Sequence, residues 1–199
     1  MSAQAPGAAP WPIRPDTGMN TARLGMWLFL AAEAMFFGAL FSAYVLLRTA
    51  HPAWPQGTAV FSPALGVGAA AAMAVGSLCC CRGFRALRSG SPTVARAWFA
   101  AACGAGALFL LNVWTQHGIL REHGMSPRVD TFLAIAHVLA GAHAVHAAAG
   151  IAVLAWFIGP GWRLQAQTPE RQAVRLANGG LYWHFLTLTW FCVTAALYA

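Results

Sequence analysis

Five apolar runs, each long enough to cross a bilayer, constrain this chain more than any other feature. A hydrocarbon core of about 30 Å takes about 20 residues of α-helix at about 1.5 Å each. Runs of that length cover roughly residues 24–47, 62–81, 93–120, 131–157 and 176–198. In lipid every backbone N–H and C=O must be bonded within its own segment, so each run is read as a helix. The expected fold is an all-α integral membrane bundle of five transmembrane helices over residues 24–199. A flexible cytoplasmic tail, residues 1–23, precedes it; the tail has no continuous apolar core and is not a cleaved secretory signal.

Composition excludes the obvious alternatives. Hydrophobic residues make up 59% of the chain and charged ones 9%, against about 25% charged in a soluble domain. Neither a disordered chain nor a water-soluble one fits. All 12 basic residues are arginine, and they punctuate the apolar runs instead of gathering on one soluble face, so nucleic acid is not a partner. Nine of them fall in the tail and in the second and fourth loops, and three on the other side. Positive charge stays inside, which puts the N-terminus in the cytoplasm and the C-terminus in the periplasm. The cysteines form no CxxC pair and are read as small apolar residues.

Small residues in the second run (Gly66, Gly68, Gly76) and third run (Gly104, Gly106) let helix backbones approach closely. Ionisable residues inside a membrane are functional candidates by default. Glu33 is the sole acid within any run. His137, His143 and His146 lie in the fourth run, His184 in the fifth, and Asn112, Gln116 and His117 toward the outer end of the third. Glu33 and His184 lie about 13 and about 12 Å from the cytoplasmic starts of their helices, and His146 and His143 about 16 and about 21 Å above theirs. The expected cluster is therefore Glu33, His143, His146 and His184. His137, turned about 120° from His143, is left out. Two readings of Glu33 stand: it takes part in a proton relay, or it is a protonated, hydrogen-bonded lock between helices. The histidines are interhelical hydrogen-bonding groups or, pairing His143 or His146 with His184, haem ligands of a b-type cytochrome. A transporter using Glu33 is disfavoured, because no proline interrupts the middle of a run.

Three ordered motifs carry a family likeness. RLGMWLFLAAEAMFFGALFSAYVLLR (Arg23 to Arg48) resembles the first of the five shared helices in subunit III of haem-copper cytochrome oxidases, with its membrane glutamate at Glu33 and MFFG ending at Gly38. LAGAHAVHAAAG (Leu139 to Gly150) is similar to the family's G-x-H-x-x-H segment at His143 and His146. LYWHFLTLTW (Leu181 to Trp190) looks like the closing Y-W-H-F motif, at Tyr182, Trp183 and His184. Where the family often carries further membrane acids, this chain has Thr187 and Gln116.

The resemblance implies the short five-helix form, an accessory subunit without catalytic residues, metal or redox centre. It implies haem and copper in the partner chain, contact with oxidase subunits I and II, bound phospholipid, and support of proton uptake and sustained turnover in a bacterial cytoplasmic membrane. Tyr182, Trp183, Gly38, Gly66 and Gly68 are then expected at subunit or lipid packing contacts. An accessory subunit of a nitric oxide reductase is the neighbouring alternative.

Overall fold

Each apolar run is a helix in the computed structural model, which describes residues 21–160 and 169–198. Most of the expected tail and Arg163 lie outside those residues. The helices are α1 (Thr21–Ala50), the single turn α2 (Gly57–Val60), α3 (Pro63–Arg88), α4 (Pro92–Glu122), α5 (Thr131–Ile158) and α6 (Pro169–Tyr198). All but α2 are long and apolar enough to cross a membrane, and the described residues include no strand. This is the five-span all-α bundle expected. The helices outrun their apolar stretches: α3 continues through the basic run RGFRALR, which puts Arg85 and Arg88 in its last turn, where cations suit the negative end of the helix dipole.

Local chemistry sets the helix ends. Pro63 and Pro92 occupy first-turn positions, where a missing N–H costs no hydrogen bond. Asp130 Oδ1 accepts the N–H groups of Phe132 (2.7 Å) and Leu133 (3.2 Å) and so caps α5. Two glycines close α3 and α4 by the same device. Gly90 and Gly124 take φ of 75° and 72°, a left-handed conformation that a Cβ disfavours. Ser91 N–H donates to Ala86 O (2.9 Å) and Met125 N–H to Leu120 O (2.9 Å), so the last carbonyls are satisfied in a Schellman turn.

Packing is uneven. The hairpin α3–α4 is the most intimate pair, α6 lies across α3 and α5, and α1 touches only α5 and α6 to any extent. The buried residues of α1 are Leu30, Phe37 and Tyr44, seven apart, which is one narrow stripe of a helix. At the centre of the other four spans stands Trp183, fully buried. A Cβ on Gly76 would lie 2.7 Å from its Nε1, and one on Gly106 2.5 Å from its Cη2. Those two glycines form the slot that admits the indole.

Candidate functional site

The membrane glutamate meets one histidine. Glu33 belongs to the same face of α1 as Leu30 and Phe37, three and four residues away, so the stripe that packs on the bundle carries the carboxylate inward. Its Oε2 lies 2.8 Å from His146 Nε2, with the two side chains 15% and 21% exposed respectively. It has no other partner among the described residues. His146 Nδ1 lies 2.7 Å from Ala142 O, and a carbonyl only accepts, so this nitrogen carries a hydrogen. The contact between Nε2 and Oε2 then requires a single proton: two bare lone pairs would repel and two hydrogens would collide. Glu33 and His146 thus share one proton and are neutral as a pair, whichever atom holds it, and a neutral pair is what a low-dielectric site tolerates. Phe36 and Phe37 flank the imidazole at ring-centroid distances of 5.6 and 5.2 Å. Tyr182 O–H donates to His146 O at 3.1 Å.

The other two imidazoles go elsewhere. His143 is fully buried, its Nε2 donates to Leu186 O at 2.8 Å, and it packs among Phe37, Phe109 and Trp190. His143 and His146 are about 60° apart around α5 at 100° per residue. That rotation turns one toward α6 and the other toward α1. His184 faces α3, its Nδ1 on the Ser77 hydroxyl and its Nε2 3.5 Å from Cys81 Sγ. The four-residue cluster expected from depth alone is therefore three separate arrangements. For a haem pair the donor set is unsuited, since Nε2 of each of these histidines already has a protein partner. The described residues contain no group of three or more His, Cys, Asp or Glu able to hold a metal ion.

The remaining expected residues divide between core and surface. Tyr182 and Trp183 are buried. A Cβ on Gly66 would come 2.5 Å from the Tyr198 ring and one on Gly68 2.9 Å from Asn112 Oδ1, whereas Gly38 has open space around it. Sequence reasoning passed over Ser77 and Cys81, one turn apart on α3, and the ring pair His117 and His137, whose centroids are 4.5 Å apart. The signal for that pair was available: antiparallel neighbours place the end of the third run beside the start of the fourth. At the arginine-rich end a groove of about 320 Å³ between α3 and α6 is lined by Arg23, Arg85, Arg88, Leu181 and His184. A second groove, about 410 Å³ and mainly apolar, shares Leu181 and His184 and runs on between α1 and α6.

A five-span helical bundle whose membrane-embedded polar groups are tied up in pairs between helices is a polytopic membrane protein of the accessory-subunit type. The chain is 29% identical to the cytochrome bo(3) ubiquinol oxidase subunit 3 of Pseudomonas aeruginosa, over 92% of this chain and 86% of that protein. It is likewise 29% identical to the cytochrome c oxidase subunit 3 of Thermostichus vulcanus, over 88% and 85%. With the probable cytochrome c oxidase subunit 3 of Nocardia farcinica the identity is 26%, over 90% and 88%. No protein-family model matches the chain. The chain belongs to the subunit III family of the haem-copper oxidases.

Proposed function

We propose that the chain is the non-catalytic subunit III of a terminal respiratory oxidase in a bacterial cytoplasmic membrane, a complex that reduces oxygen to water with electrons from cytochrome c or quinol. Haem and copper belong to the partner subunit I in this reading. The present chain braces subunit I, with subunit II in the same assembly, and its N-terminus lies in the cytoplasm. Relatives named as subunit 3 of both cytochrome c and quinol oxidases support the assignment. The groove that begins at Arg23, Arg85 and Arg88 and continues between apolar walls suits a phospholipid, headgroup at the cations and acyl chain along the helices.

The observation that carries a proton-supporting role is the single proton shared by Glu33 and His146, 2.8 Å apart. Such a pair takes up or passes on a proton without stranding a net charge in lipid. His143 and His184 stand outside that exchange and act as interhelical fasteners. Glu33→Gln keeps the shape and the hydrogen-bonding capacity but removes the titratable acid. In the purified complex this variant is expected to lower proton-coupled turnover and to shorten the lifetime under turnover. Indistinguishable behaviour would leave Glu33 as a lock between α1 and α5 and nothing more.

A further inference from the structure

At the end of the bundle opposite Arg85 and Arg88, an enclosed cavity of about 30 Å³ lies between α3, α4, α5 and α6. That is the share of liquid volume taken by about one water molecule. Its lining includes Gln116, Trp190 and Thr194, and each of these contributes a buried polar atom with no protein partner among the described residues: Gln116 Nε2, Trp190 Nε1 and Thr194 Oγ1. Gln116 and Trp190 are only 7% and 5% exposed.

The bonding around them is specific. Gln116 Oε1 accepts the Ser62 N–H at 3.0 Å, which fixes the amide so that its two N–H hydrogens are the unused ones. Thr187 and Thr189, in the same helix, donate back to the carbonyls of Trp183 and Phe185 at 3.0 Å each. Thr194 makes no such bond. Two N–H donors and one hydroxyl facing a small enclosed space require an occupant with lone pairs and hydrogens, which no apolar molecule supplies. We infer that this cavity is a binding site for an ordered water, which accepts from Gln116 Nε2 and Trp190 Nε1 and donates to Thr194 Oγ1. Tyr198 O–H donates to Ser62 O at 3.2 Å, so the water closes a ring of bonds running from α6 through Ser62 to α4 and back to α6. This site is independent of the oxidase assignment.

The test uses the full chain in its purified complex. A density map that resolves ordered waters is expected to show a single peak within hydrogen-bonding distance of Gln116 Nε2, Trp190 Nε1 and Thr194 Oγ1. A featureless cavity, xenon uptake under pressure, or the three groups turned onto protein partners would each overturn the site. Thr194→Val and Gln116→Met provide a second readout. Because both act through the same water, the melting-temperature losses are expected to be non-additive in the double variant, with Thr194→Ser close to the parent. Losses that simply sum, or a Thr194→Ser loss equal to that of Thr194→Val, would refute it.

Discussion

The α3–α4 hairpin and α1 are both apolar spans, yet they are held by different means. The hairpin and the α6 segment across it interlock sterically, with Trp183 seated against Gly76 and Gly106. Helix α1 meets the bundle along the single stripe Leu30, Phe37 and Tyr44 and is fastened by polar clips along its length. Asn178 Nδ2 donates to Ala22 O at 3.1 Å near one end. Glu33 meets His146 in the middle, and Tyr44 O–H donates to Ala196 O toward the other end. Lipid offers no hydrophobic drive between helices, so a span can associate by close backbone approach or by hydrogen bonds. Here the two solutions are segregated, and the titratable acid lies on the helix that depends on bonds.

Substitutions should separate the two modes. Gly106→Leu forces a side chain into the Trp183 slot; overpacking of this kind costs about 1 to 3 kcal/mol, so the largest fall in thermal midpoint in a fixed detergent is expected here. Glu33→Leu breaks the central clip and should cost about 1 to 2 kcal/mol, the scale of interhelical hydrogen bonds in model membrane peptides. Limited proteolysis should then show α1 released while α3 to α6 stay protected. A loss of protection across all five spans would mean that α1 is integral to the core. Tyr182→Phe removes the bond to His146 O alone and should cost about 0.6 kcal/mol. Leu28→Ala, at a position 65% exposed on α1, should leave the midpoint of the isolated chain within about 0.5 kcal/mol of the parent.

Much of the architecture could be read in advance because bilayer thickness fixes the length of a span and charge fixes its flanks. The glycines of the second and third runs were legible as close-packing positions for the same reason. The site was less so. Depth along a helix follows from counting residues, and it put Glu33, His143, His146 and His184 within reach of one another. Rotation about the helix axis does not follow from counting when every face is apolar, and α5 gives hardly any sign of which side is buried.

From its order of residues alone this protein is committed to five membrane spans, a lone acid in the first of them and histidines in the fourth and fifth. Only the assembled bundle decides that the acid selects His146, that His143 turns to Leu186 O, and that His184 bonds across to Ser77 and Cys81. The physical reason is that the Trp183 slot and the α1 stripe set the rotation of each helix, and rotation, unlike length or depth, is a property of neighbours.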